Sequence, residues 1–137
     1  MLRTTTIAVA TALSFLSPLV HADPRSEFLL HCAGCHRPNG TGLPPDVPTL
    51  VDELGNLVRT QEGRDYLVRV PGSSQAPISD ALLADVINWI LTEFNAATLP
   101  KDFQPLTTDE VSKVRRDTLA DPMRYREQLW GDSGKSY

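Results

Sequence analysis

The stretch that decides the fold is Cys32-Ala33-Gly34-Cys35-His36, which holds both cysteines of the 137-residue chain. Two thiols separated by two residues can reach the same edge of one ligand, and the histidine that follows places an imidazole beside them. Two cysteines are too few for a disulfide-rich scaffold. The pattern therefore indicates a binding site built around one short segment.

The C-x-x-C-H spacing is the attachment pattern of c-type haem. In that chemistry the thiols of Cys32 and Cys35 add across the two vinyl groups of one haem and form thioethers, and His36 becomes the proximal ligand of the iron. Ala33 and Gly34 are small enough to let the segment lie against the macrocycle. The sequence thus predicts one covalently bound haem c as the cofactor.

Three other interpretations of this segment compete with haem. A redox-active dithiol requires a thioredoxin-like βαβ context, and the sequence shows no credible strand. A zinc site would take all four ligands, His31, Cys32, Cys35 and His36, from one short run that is too cramped for a tetrahedral cage. A plain structural disulfide between the two cysteines is the third. We prefer haem attachment to all of them.

Composition describes an ordinary globular protein of about one domain. Hydrophobic residues make up 41% of the chain and charged residues 22%, which disfavours intrinsic disorder. The 13 Lys and Arg against 17 Asp and Glu give a net charge of −4, whereas a nucleic-acid binder needs a basic face. No apolar run reaches the roughly 18 residues of a transmembrane helix, so we expect no membrane span in the mature chain.

The chain begins with the features of a secretory signal peptide. A basic start at residues 1–3 precedes an apolar stretch at residues 7–16, and Ser17-Pro18 then ends it. Small or compact residues at positions 20 and 22 suit cleavage after Ala22. We therefore predict that residues 1–22 form a cleaved signal peptide and that the mature protein is periplasmic, where haem is attached after export.

The mature chain is predicted to be all-α. Helical periodicity and capping signals indicate helices over about residues 24–33, 60–70, 79–94, 107–119 and 121–130, with one short helical turn within residues 51–58. Residues 37–50 and 71–77 are rich in Pro and Gly and are expected to be irregular. We divide the chain into a haem domain at residues 23–95, with 10 acidic and 5 basic side chains, and a C-terminal helical extension at residues 96–137, with 7 of each.

Residues 24–95 resemble the class I (cytochrome c-like) family of monohaem c-type cytochromes. The resemblance consists of Phe28 four residues before Cys32, the CAGCH motif, a Gly/Pro loop at residues 39–50, and a helix that opens at Ile78-Ser79-Asp80 and carries Trp89. It implies that the first and last helices of the domain cross, with Phe28 and Trp89 meeting at the crossing. It also implies that the Pro48 carbonyl accepts the Nδ1 proton of the proximal histidine, which fixes the ring.

The sequence departs from that family at the sixth ligand of the iron. Family members usually place a methionine in the loop before the last helix, but residues 70–78 contain neither Met nor His. Three possibilities stay open: an iron with no strong second protein ligand, Met123 brought over the haem by the extension, or a weak donor in the loop. The candidate weak donors are Ser73, Ser74 and Gln75.

These features favour a periplasmic electron carrier rather than an enzyme, since no acid–base pair or nucleophile constellation accompanies the haem motif. Its partners would be redox proteins: a periplasmic dehydrogenase as donor, and an oxidase, a peroxidase or another cytochrome as acceptor. The acidic haem domain favours a partner with a basic docking face. One alternative is a haem protein whose open iron position binds or senses a diatomic gas or peroxide. Another is an accessory haem subunit docked on a partner enzyme.

Overall fold

The computed structural model describes residues 22–130, and this part of the chain is helical, as predicted. The only β pairing within it is an isolated bridge between Leu43 and Val47. The eight helices of the described residues are α1 (Pro24–His31), α2 (Ala33–His36), α3 (Leu54–Leu57), α4 (Gln61–Arg69), α5 (Pro71–Ser74), α6 (Asp80–Phe94), α7 (Thr108–Val114) and α8 (Pro122–Trp130). The all-α fold class is therefore confirmed. The proposed signal peptide, apart from Ala22, lies outside the described residues.

The predicted helix starts rest on side chains that bond to free backbone N–H groups. The Asp23 carboxylate accepts from the backbone N–H groups of Arg25 and Ser26, and the Ser79 hydroxyl accepts from that of Leu82. Thr107 and Glu110 form a reciprocal capping box at the start of α7. Each cap satisfies donors that the first turn of a helix leaves without an intrahelical partner.

Helices α1 and α6 pack against each other through three aromatic rings. The Phe28 ring lies 5.2 Å from that of Trp89 and 5.5 Å from that of Phe94, measured between centroids. Trp89 and Phe94 are themselves 5.3 Å apart in an edge-on arrangement. Phe28 is fully buried, so the expected contact between Phe28 and Trp89 forms the centre of this crossing.

Two segments differ from the sequence-based expectations. The stretch expected to be irregular after α4 contains the single helical turn α5, because Pro71 fits the first position of a helix. Helix α7 ends at Val114 rather than continuing to Leu119. The chain turns there, and the Leu119 N–H donates to the Arg69 carbonyl at 3.0 Å instead of to its own helix.

The described part of the C-terminal extension packs onto the rest of the chain. Helix α7 lies against α6 and α4, and α8 lies against α4. Val111, Leu119 and Trp130 of this segment are buried with the core residues of the preceding helices. Over residues 22–130 the structure contains no helix with the length and apolar character needed to cross a bilayer. The division into residues 23–95 and 96–137 stays a prediction.

Asn95, at the end of α6, ties three segments together from a fully buried position. Its side-chain oxygen accepts from the N–H groups of Leu54 at 2.8 Å and Gly55 at 3.3 Å. Its amide nitrogen donates to the carbonyls of Leu50 at 2.9 Å and Ile90 at 3.3 Å. The side chain thereby fixes the end of the loop that follows α2 against α3 and α6.

Candidate haem site

The two cysteines lie where α1 ends and the short helix α2 begins. The Cys32 N–H donates to the Phe28 carbonyl at 2.9 Å, and the Cys32 carbonyl accepts from the N–H groups of Cys35 and His36 at 3.2 and 3.0 Å. Both thiols are free, with Cys32 partly buried and Cys35 exposed. The tight turn therefore presents two thiols and one imidazole from a single backbone unit, anchored to the aromatic crossing through Phe28.

The environment of Cys32 does not activate its thiol. Burial raises the pKa of the Cys32 thiol to about 11. Catalytic and redox cysteines have lowered pKa values, because the thiolate is the reactive form. Among residues 22–130 the structure brings no three His, Cys, Asp or Glu side chains together in positions that could hold a metal ion. His31, the remaining zinc candidate, has its Nε2 atom 3.3 Å from the Glu27 carboxylate.

The imidazole of His36 is held in one orientation. Its Nδ1 atom lies 3.1 Å from the Pro48 carbonyl oxygen, and because a carbonyl can only accept, Nδ1 carries the proton. Burial lowers the pKa of His36, with the Pro48 hydrogen bond acting against that shift and the charge of Arg126 adding to it. A neutral ring protonated at Nδ1 leaves the lone pair of Nε2 available for a metal.

Gly42 is the residue that lets the Pro48 carbonyl approach His36. Its φ of +66° is a left-handed conformation, and a Cβ atom at this position would lie 2.5 Å from the Pro48 oxygen. The Gly42 N–H also donates to the His36 carbonyl at 3.0 Å. Sequence reasoning did not single out Gly42, although its place in the Gly/Pro loop was the available signal.

Cys32, Cys35 and His36 open onto one cavity of about 430 Å³. That volume lies within the range of roughly 300–1,000 Å³ typical of small-molecule and cofactor sites. Its inner wall is mainly apolar and comes from α3, α4, α6 and the end of α4 at Val70, through side chains that include Leu54, Tyr66, Leu67, Val70, Ile87 and Ile90. Two thiols at one edge, a neutral imidazole and an apolar interior fit a covalently attached haem.

The structure separates the candidates for the second axial position. Met123 and Ser73 both line the cavity, whereas Ser74 and Gln75 are not among its lining residues. The Ser74 hydroxyl instead accepts from the hydroxyl of Thr118 at 3.0 Å. Of these candidates, the cavity therefore includes the sulfur of Met123 in α8 and the hydroxyl of Ser73 in α5.

Arg126 is a part of the site that sequence reasoning missed. Its side chain is only 3% exposed, forms an ion pair with Glu53, and lies over the Trp130 ring at 4.3 Å from the centroid. Arg126 also lines the cavity. Nothing in the local sequence of α8 distinguishes this arginine from the exposed Arg124, so only the tertiary packing reveals it.

Comparison with known proteins and the geometry of the cavity both indicate a c-type cytochrome. No protein-family model matches the chain. A cytochrome c-552 of Thermus thermophilus is 34% identical to it in an alignment 119 positions long, which covers 74% of this chain and 80% of the relative. The chain belongs to the class I monohaem c-type cytochrome family. A second cytochrome c-552 from the same species is 34% identical in an alignment 112 positions long, which covers 69% of this cytochrome and 86% of the relative.

Membership of the family establishes the cofactor and the general role. The cytochrome carries one covalently bound haem c and works as an electron carrier, not as an enzyme. Both matches reach beyond two thirds of the relatives' own length. The likeness therefore concerns the greater part of each protein and not the CAGCH motif alone.

Proposed function

We propose that Cys32 and Cys35 hold the haem through two thioether bonds and that His36 is the proximal ligand of its iron. The observation that carries this proposal is the convergence of both thiols and a neutral, oriented imidazole on one apolar cavity. The Pro48 carbonyl fixes the ring of His36 and, by accepting its Nδ1 proton, increases the electron density that the imidazole donates.

The bound haem supplies one-electron redox chemistry, and the chain controls access to it. The apolar wall from α3, α4 and α6 excludes water from the interior of the cavity. Cys35 is exposed, so its thioether would place one edge of the cofactor at the protein surface. An edge at the surface lets an electron pass to a docked partner while the rest of the cofactor stays enclosed.

We further propose that this carrier works in the periplasm, between a dehydrogenase and a downstream oxidase, peroxidase or cytochrome. The excess of acidic residues in positions 23–95 supports docking to a basic surface. Two of the basic residues in that range, Arg64 and Arg69, are paired with Glu110 and Asp117 of the extension at 2.9 and 2.6 Å. These pairings reduce the positive charge that the haem domain presents to a partner.

The proposed attachment can be tested by comparing two histidines that lie five positions apart. With the full chain expressed in a host that exports and attaches haem, His36→Ala and the double variant of Cys32→Ala with Cys35→Ala should accumulate little protein with covalent haem. His31→Ala is the matched control and should retain the haem stain and the visible spectrum of the wild type. Covalent haem at wild-type yield in the cysteine double variant would refute the assignment.

Export is tested separately by fractionation and by N-terminal sequencing of the purified protein. We expect the coloured protein in the periplasmic fraction, with Asp23 as its first residue. Recovery in the cytoplasm with Met1 retained would contradict the proposed route.

A further inference from the structure

Helix α8 brings a methionine to the haem cavity although the loop before α6 lacks one. The segment between α4 and α6 contains no Met or His, and the only methionines of the chain are Met1 and Met123. Met123 is the second residue of α8 and lines the same cavity as His36. The cavity thus has a nitrogen donor from α2 and a thioether sulfur from α8 on its surface.

The position of Met123 is fixed on both sides along the chain. Before it, the Leu119 N–H donates to the Arg69 carbonyl, and the Asp121 carboxylate accepts from the Arg124 N–H at 2.9 Å. After it, the Tyr125 ring stacks on Tyr66 of α4 with centroids 6.1 Å apart. Met123 therefore lies in the same helical turn as Tyr125, which packs against Tyr66 of α4.

The same turn carries the buried ion pair of Arg126 with Glu53, which joins α8 to the residue just before α3. Both Arg126 and Met123 face the cavity from α8. Because the Arg126 guanidinium is almost fully buried against Glu53, moving α8 away from the cavity would separate this ion pair and leave the partly buried Glu53 carboxylate without that cation. The ion pair between Arg126 and Glu53 therefore helps to hold the Met123 side chain at the cavity.

Arg115, which directly follows α7, holds the loop in which family members usually place the methionine ligand. The Arg115 guanidinium donates to the carbonyls of Ser74 at 3.1 Å and Ile78 at 2.7 Å, and also to that of Ala76. It pairs with Asp80, at the start of α6, at 2.8 Å. The short loop is thus held from outside by the extension, and the extension itself reaches the cavity through α8.

The other donors near the cavity are weaker candidates for haem iron. Ser73 offers a hard hydroxyl oxygen, whereas the thioether of methionine is a soft ligand of the kind found in His/Met cytochromes. His31 also lines the cavity, but it directly precedes Cys32, on the same segment as the proximal ligand, and its Nε2 atom contacts Glu27 within its own helix. Neither has the combination of donor type and independent anchoring that Met123 has.

We infer that the C-terminal extension replaces the ligand loop and that the thioether sulfur of Met123 is the second axial ligand of the haem iron. This inference rests on the proposed haem attachment through Cys32, Cys35 and His36. It makes the iron six-coordinate and closes it to exogenous gases, which suits a carrier and removes the basis of the gas-binding alternative. It also gives the extension a specific role at the redox centre.

The test uses the haem-loaded, exported full chain and three variants. Met123→Leu conserves side-chain volume and removes the sulfur. It should abolish the weak long-wavelength ferric band that marks thioether ligation, lower the reduction potential, and allow rapid CO binding to the ferrous protein. Gln128→Ala, an exposed change on the same helix, should retain the band, the potential and the resistance to CO.

Met123→His provides a second and independent readout. An imidazole at this position should restore a low-spin spectrum of the bis-histidine type and again block CO, because it replaces one axial donor with another. Wild-type protein that binds CO rapidly and lacks the thioether band would overturn the inference. So would a coloured Met123→Leu protein whose spectrum and potential match the wild type. Colourless protein would instead refute the underlying haem attachment, so the two failures are distinguishable.

Discussion

Replacing Phe28 by alanine tests the aromatic crossing that supports the CAGCH turn. The Phe28 side chain is fully buried and its ring contacts those of Trp89 and Phe94. Truncation of a core Phe to Ala costs about 3–5 kcal/mol, and each aromatic pair contributes roughly 0.5–1.5 kcal/mol beyond its buried area. The truncation range is a measured total that already includes lost ring contacts, and the loss of two aromatic pairs places Phe28→Ala in its upper half, so we expect a decrease of about 4–5 kcal/mol in the free energy of unfolding.

Guanidinium unfolding of the haem-loaded protein, followed by far-UV circular dichroism, measures this loss. A domain of this size has a total stability of about 5–15 kcal/mol, so Phe28→Ala should be marginally folded while Phe28→Leu, which refills most of the volume, should remain measurable. Leu30, on the same helix, is 73% exposed. Leu30→Ala should therefore change stability by no more than about 0.5 kcal/mol. A loss below about 1 kcal/mol for Phe28→Ala at an unchanged m value would refute the crossing as described.

Three further predictions concern residues that hold the fold around the site. Asn95→Ala should lower the free energy of unfolding by about 2–4 kcal/mol in denaturant titrations, because each buried backbone group left without a partner costs roughly 1–3 kcal/mol; a loss under about 1 kcal/mol would contradict its bridging role. The Arg115 hydrogen bond lowers the pKa of Asp80 below its ordinary 3.8. The ionised Asp80 carboxylate therefore stabilises the folded state above pH 3.8, and this stabilisation is lost as the pH falls through the lower pKa of the folded state. Asp80→Asn should therefore show a smaller loss of stability between pH 7 and pH 3 than the wild type, and an equal loss would count against the pairing. Gly63→Ala should lower the thermal midpoint despite the better helix propensity of alanine, because its Cβ would lie 2.0 Å from the Leu57 carbonyl oxygen; a raised midpoint would show that the backbone relaxes.

The elements that could be predicted from the sequence are those that depend on local signals. The caps at Asp23, Ser79 and Thr107 lie within three residues of their partners, so their helix starts could be read from the chain. The resemblance to c-type cytochromes also led to the contact between Pro48 and His36, which the structure shows at 3.1 Å. That these residues hold the haem stays a prediction.

The contacts that escaped prediction join residues far apart in the sequence. Arg115 bonds to groups 35 to 41 positions earlier, and Asn95 reaches Leu54 across 41. Arg126 pairs with Glu53 across 73 positions. No periodicity or capping signal marks such residues, because a polar side chain destined for the interior has the same local sequence context as one destined for solvent. The early end of α7 has the same origin, since the Leu119 N–H bonds to Arg69 rather than to its own helix.

Every role assigned to the residues of this site depends on one haem being covalently attached to Cys32 and Cys35. Its most direct test is the intact mass of the purified, exported protein under denaturing conditions, together with its pyridine haemochrome spectrum. We predict a coloured protein whose mass equals that of the polypeptide from residue 23 to residue 137 plus one haem, with a haemochrome typical of two thioether bonds. A colourless protein with the mass of the bare polypeptide would show that Cys32 and Cys35 hold no haem.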